Sequence, residues 1–156
     1  MKSSAAGDAR IFTPVAALVD TNILIYRFDP SSPRKQAIAT ELLRRGLVDG
    51  SIRLPHQAIV EFVAAATRSR GGKAPLMSQP AAFREAEELL TQFIVLYPHE
   101  ALVRTALRGM ATYQLPWYDA HLWAYAECYG LSELLSEDFQ PHRHYGTVRA
   151  VNPFLV

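Results

Sequence analysis

The chain has 156 residues, of which 49% are hydrophobic and 20% charged, a balance that excludes wholesale disorder and suits one domain with a sizeable core. Its 16 basic and 15 acidic side chains leave a net charge of +1, so bulk electrostatic attraction is excluded as the route to a nucleic acid. A single cysteine, Cys128, excludes an internal disulfide or a cysteine-rich zinc site and fits a reducing, cytoplasmic compartment. The most apolar run, Ala58 to Ala66, is about half of the ~20 residues a bilayer helix needs.

Residues 1–14 are small and polar, lack the apolar stretch of a secretory signal and read as a flexible tail, with one domain over 15–156. Val15 to Val19 reads as a short buried strand. Thr21 to Phe28 begins a helix capped by Asp20 or Thr21, and Pro30 closes it. Pro33 starts a helix to about Val48, with Gly50 beyond its end. Ile52 to Leu54 is a minimal strand, and Pro55 opens a helix to about Arg68. The Gly and Pro content of Arg70-Gly71-Gly72-Lys73-Ala74-Pro75 makes a loop. Then follow a helix over Gln79 to Gln92, a strand over Phe93 to Leu96, and helices over Pro98 to Tyr113 and Tyr118 to Tyr129. Leu134 to Ser136 and Val148 to Val151 are the last strands. Strands alternating with helices predict an α/β domain, with a central parallel sheet of four to five strands flanked by helices.

Four carboxylates stand in apolar surroundings or at strand ends. Asp20 closes Val15-Ala16-Ala17-Leu18-Val19, at the edge where open parallel sheets bind ligands; helix capping is its other reading. Glu61 is the one charge in Ala58-Ile59-Val60-Glu61-Phe62-Val63-Ala64-Ala65-Ala66, a segment expected to be buried on most faces. An ionised carboxylate there needs a partner, an ion or a path to water. Asp119 opens an apolar helix, where the helix dipole alone favours an acid. Asp138 follows the strand Leu134-Leu135-Ser136, with Glu137 beside it as a second candidate. In a parallel sheet all four positions open onto the same carboxyl edge. Four converging carboxylates raise each other's pKa, and a hard divalent cation is the usual remedy.

Leu18-Val19-Asp20-Thr21-Asn22-Ile23-Leu24-Ile25-Tyr26 resembles the opening motif of PIN-domain ribonucleases. Ile59-Val60-Glu61-Phe62, Pro116-Trp117-Tyr118-Asp119-Ala120 and Leu135-Ser136-Glu137-Asp138-Phe139 resemble their later acidic motifs, in order and at matching spacing. The short form is most similar to the VapC toxins of bacterial toxin–antitoxin pairs. The resemblance implies a PIN-like fold in which Asp20, Glu61, Asp119 and Asp138 are catalytic acids and ligands of Mg2+ or Mn2+. Asn22 and Ser136 support them, and Glu137 competes with Asp138 for the fourth place. It implies an endoribonuclease that hydrolyses RNA phosphodiester bonds, inhibits translation as a toxin, pairs with a VapB-like antitoxin and forms a homodimer. A housekeeping PIN nuclease of RNA processing and a catalytically silent binding module are the alternatives, and the complete acidic set argues against the second.

Contacts to RNA must come from cations. Arg68, Arg70 and Lys73, in a segment with a flexible Gly pair, are the first candidates, and Arg27 and Arg34 come next. His142-Arg143-His144 reads as a solvated loop. Tyr113, Trp117, Trp123, Tyr125 and Tyr129 crowd one stretch, and some are expected to face a second copy.

Overall fold

Short strands of Val, Leu and Ile cannot bury both their faces alone, and in this chain helices cover each face. A computed structural model describes residues 15–155, so the tail expected over residues 1–14 lies outside the described residues. In chain order the elements are β1 (Ala17–Val19), α1 (Thr21–Tyr26), α2 (Pro33–Asp49), β2 (Ile52–Pro55), α3 (His56–Ala66) and α4 (Gln79–Gln92). They continue with β3 (Ile94–Leu96), α5 (Glu100–Tyr113), α6 (Trp117–Cys128), β4 (Glu133–Leu135), β5 (His144–Tyr145) and β6 (Val148–Val151). The sheet order is β3-β2-β1-β4-β6-β5. The five expected strands form its parallel part, and β5 adds a sixth, antiparallel to β6. Two residues are too few to show a period-2 pattern, which is why His144 read as loop. Its neighbour Arg143 lies over the Tyr145 ring, 4.6 Å from the centroid.

Successive side chains of a strand point to opposite faces. Val19, Ile52 and Leu54 accordingly join Ile23, Leu24, Leu43, Phe62 and Leu89 in a core under α1 to α4. Leu18 and Leu134 join Leu102, Ala106, Leu122, Trp123 and Tyr125 in a second core under α5 and α6. The helix ends follow local chemistry. Pro33 opens α2, and Gly50 ends it in the left-handed conformation at φ 68°. The Ser78 hydroxyl accepts from the Ala81 N–H to cap α4.

The packing of α5 on α6 settles part of the aromatic cluster. Trp123 and Tyr125 are buried within the subunit, and the Trp123 indole N–H donates to the Tyr145 carbonyl at 2.9 Å. Tyr113 meets Trp123 and Tyr145 edge to face. Trp117 and Tyr129 keep exposed surface, at 36% and 39%. No described helix is long and apolar enough to cross a membrane.

From β1 the chain moves outward to β2 and β3, then returns through α5 and α6 to β4 on the other side of β1. The strand order therefore reverses between β1 and β4, and a crevice opens beyond their carboxyl ends. Val19 is paired with Leu135, so Asp20 and Ser136 leave the sheet side by side.

The tightness of the α5–α6 contact is testable at Gly109, where a Cβ would lie 2.5 Å from Trp123 Cζ3. Gly109→Ala gains up to ~1 kcal/mol in helix propensity but must displace a buried indole. A net loss of about 1–3 kcal/mol in stability is expected from urea denaturation.

Candidate acidic site

Asp20 sits between β1 and α1, is 6% exposed and caps α1 through Oδ1, which accepts the Thr21 N–H at 2.6 Å. Its Oδ2 accepts the Ser136 hydroxyl at 2.5 Å and the Asn22 amide at 3.2 Å. Both expected roles, cap and cluster member, thus fall on one side chain. Burial pushes the Asp20 carboxyl up to about 7. The Ser136 hydrogen bond opposes that rise, and the charges of Asp138 and Glu61 add to it. Ionising it in place costs on the order of 4 kcal/mol more than ionising an ordinary aspartate in water.

Asn22 is two residues along α1, and its amide nitrogen also reaches Asp138 Oδ2 at 3.2 Å and Ser136 Oγ at 3.4 Å. The Ser136 hydroxyl accepts the Asp138 N–H at 3.0 Å, which holds the β4 exit in a turn. Asn22 Oδ1 is buried and, among the described residues, has no hydrogen-bond partner. Glu61, on α3, accepts the Thr21 hydroxyl at Oε2 (3.0 Å) and the Gln57 amide at Oε1 (2.7 Å). Asp119 lies in the first turn of α6, and its carboxyl is raised by burial, then by Asp138 and Glu61.

Asp20, Asn22, Ser136 and Asp138 therefore form one hydrogen-bonded cluster. Glu61 joins it through Thr21, and Asp119 interacts with it through charge. Glu137 lines the same groove as the cluster but bonds to other groups: Lys35 donates to it at 2.5 Å and the Tyr26 hydroxyl at 2.5 Å. The Lys35 ammonium also lies over the Tyr26 and Phe154 rings, at 4.4 and 5.4 Å from their centroids. Of two adjacent acids, Asp138 meets Asn22 and Glu137 is neutralised elsewhere.

The donor chemistry suits a hard divalent cation: carboxylates from four segments, a buried amide oxygen without a partner, and oxygen atoms throughout. Among the described residues, no three carboxylate, thiol or imidazole groups converge on one point closely enough to hold an ion. Repulsion among uncompensated carboxylates favours such spreading.

The cluster opens into a groove of about 780 Å³. Asp20, Asn22, Glu61, Glu137 and Asp138 line it, together with Arg68, Arg70 and Lys73, whereas Asp119 does not. The segment expected as a loop is one, and within it the chain makes a tight reversal. Arg70 and Lys73 pair across Gly71 and Gly72, whose φ angles of 54° and 76° only glycine adopts freely. Arg27 lies over the Phe28 ring and Arg34 is exposed on α2; neither lines the groove. The expectation that α3 is buried on most faces is corrected. Val60 is 53% exposed, and Ala64 and Ala65 form groove wall, so part of this apolar helix faces open space. Sequence reasoning missed Gln57, Thr21 and Lys35. Gln57 precedes Glu61 by one helical turn and Thr21 follows Asp20, which were usable signals. Lys35 meets Glu137 across 102 residues, and nothing local marks that pair.

A family model described as "PIN domain" matches residues 17–146. No curated protein matches the sequence. Among solved structures, the chain is similar to a toxin–antitoxin complex from Klebsiella pneumoniae, at 18% identity and a TM-score of 0.65, covering 90% of this chain and 100% of that one. It is similar to the Sarcin-Ricin loop cleaving toxin VapC20 of Mycobacterium tuberculosis, at 17% identity and a TM-score of 0.60, over 76% of this chain and 87% of that one. It is also similar to a DNA-bound VapBC complex from Salmonella typhimurium, at 13% identity and a TM-score of 0.63, over 87% and 96%. At these identities the likeness is one of fold.

Burial of Asp20 gives a pH signature. Its folded carboxyl, at about 7, binds a proton more tightly than the ordinary 3.8. Its contribution to stability is then complete below about pH 4 and is lost as pH rises through 7. Without metal, wild-type urea midpoints should fall from pH 5 to 8 relative to those of Asp20→Asn, which keeps the shape without the charge. Parallel curves would remove Asp20 as the source.

Proposed function

The chain belongs to the PIN domain family, and from that premise we propose that it is a metal-dependent endoribonuclease that hydrolyses RNA phosphodiester bonds. We propose further that it acts in the cytoplasm as the toxin of a VapBC-type pair and inhibits translation. The observation that carries the reading is the acidic cluster at the β1–β4 crevice, in which Asp20 is raised to about 7 by burial and by neighbouring acids. Asp20, Glu61, Asp119 and Asp138 would hold Mg2+ or Mn2+. A divalent cation in that position supplies Lewis acidity toward the phosphodiester and the water that attacks it.

The chain's own groups do the positioning. Ser136 and Asn22 orient Asp20 and Asp138, and Thr21 orients Glu61. Lys35 neutralises Glu137, while Asp138 is the acid bonded to Asn22, which supports Asp138 as the fourth acid. Arg68, Arg70 and Lys73 bind phosphates along the groove, and the Gly71–Gly72 turn fixes where Arg70 and Lys73 start. Arg27 and Arg34 stand outside the groove and have no part in this reading. The partners we propose are a VapB-like antitoxin, in keeping with the toxin–antitoxin complexes of similar fold, and a second copy of the chain. Of the aromatics expected to face a second copy, Trp117 and Tyr129 keep exposed surface, and the neighbouring Tyr118 is more exposed still.

RNA cleavage is expected with Mg2+ or Mn2+ and should stop in EDTA; undiminished cleavage in EDTA would refute the metal mechanism. Asp20→Asn and Asp119→Asn should each lower the rate by at least about 100-fold while circular dichroism stays unchanged. Arg70→Ala should raise KM and flatten the salt dependence of binding with little change in kcat. For the toxin role, expression in bacteria should arrest growth, and co-expression of a small neighbouring gene should relieve it. Arrest by the Asp20→Asn variant as well would argue against nuclease action as its cause.

A further inference from the structure

Glu61 and Asp119 stand on helices that belong to different cores. Packing ties α3 to α1, α4 and β2, and ties α6 to α5, β1, β4 and β6; no extensive interface joins α3 to α6. Both side chains are acidic, and like charges held near one another repel. The spacing between them needs a link that sheet geometry supplies only at a distance.

The side chain of Gln57 is such a link. Its amide nitrogen donates to Glu61 Oε1 at 2.7 Å and to the Tyr118 carbonyl at 3.1 Å, one residue before Asp119. Its Oε1 is an amide oxygen and can only accept, and His121 Nδ1 lies 3.1 Å away. That requires the Nδ1–H form of the imidazole. The His121 ring is held in turn between Trp117 and Tyr125, at 5.5 and 5.6 Å between centroids, and Tyr125 is fully buried. A continuous path of contacts therefore runs from the α6 core through His121 and Gln57 to one oxygen of Glu61, while Thr21 holds the other.

We propose that Gln57 is a positioning residue, a clasp that fixes Glu61 against the Asp119 turn of α6, with His121 setting the orientation of its amide. The inference rests on the reading of Glu61 and Asp119 as ligands of a divalent cation. Groups that orient such ligands typically contribute 10- to 100-fold in metal affinity or activity.

The test uses the full chain and Mn2+ alone, titrated by calorimetry, beside RNA cleavage kinetics and metal-free melts. Gln57→Met keeps length and packing but loses all three hydrogen bonds. It should weaken Mn2+ binding about tenfold or more and lower kcat with KM unchanged. His121→Phe keeps the ring stack and removes the donor. It should shift Mn2+ affinity in the same direction by less, and it should add nothing in the Gln57→Met background. His121→Phe carries the test by itself if Gln57→Met does not fold. Wild-type Mn2+ affinity in a folded variant, or a melting loss without an affinity change, overturns the clasp. Wild-type protein that binds no Mn2+ overturns the metal reading, and the clasp with it, and this failure appears before any variant is made.

Discussion

Where β1 ends, the backbone N–H of Asp20 donates to the Leu135 carbonyl across the parallel pair at 3.0 Å. That bond carries the β1–β4 pairing one residue beyond the strands and sets Asp20 beside Ser136. Everything in the acidic cluster is measured from it. The Ser136 hydroxyl can then reach Asp20 and take the Asp138 N–H, and Asn22, two residues into α1, spans both acids. A shift of one residue in the β1–β4 register would turn these side chains to the opposite face of the sheet.

The cluster is held at an energetic cost. A carboxyl 6% exposed and facing other acids is a poor core residue, and its hydrogen bonds offset its burial in part. The two apolar cores on either side supply the stability that tolerates it. Proteins commonly keep such strained polar groups where chemistry requires them. By contrast, Glu137, adjacent in sequence to Asp138, is paired with Lys35 and hydrogen-bonded by Tyr26.

The alternation of strand and helix made the α/β class legible, because short apolar runs of three to five residues were separated by longer helical segments with Gly or Pro near their ends. The Gln79–Gln92 and Val148–Val151 elements carry their own boundary residues, and their limits were readable from these. Asp20 and Glu61 stood out because each interrupts or ends an apolar run. What sequence could not show is which way a side chain turns. Glu137 and Asp138 are equivalent as letters, and Lys35, 102 residues away, separates them. The half-open face of α3 was hidden for a similar reason: an apolar helix that borders a groove and one that lies in a core have the same composition. The Gly71–Gly72 pair announced flexibility, whereas the left-handed backbone it permits builds a tight turn.

The Ser136–Asp20 hydrogen bond closes a loop of 116 residues, and Asn22 reaches Asp138 over the same span. The basic wall of the groove, by contrast, forms from residues close in sequence, Arg68 to Lys73. In synthesis the residues of the basic wall leave the ribosome before β4, and the acidic centre cannot close until β4 and Asp138 have been made. Long-range closure of this kind is also the slow part of folding. Incomplete chains, whether paused in synthesis or cut before Ser136, contain Arg68, Arg70 and Lys73 but lack the partners that close the cluster, so vectorial synthesis completes the acidic centre last.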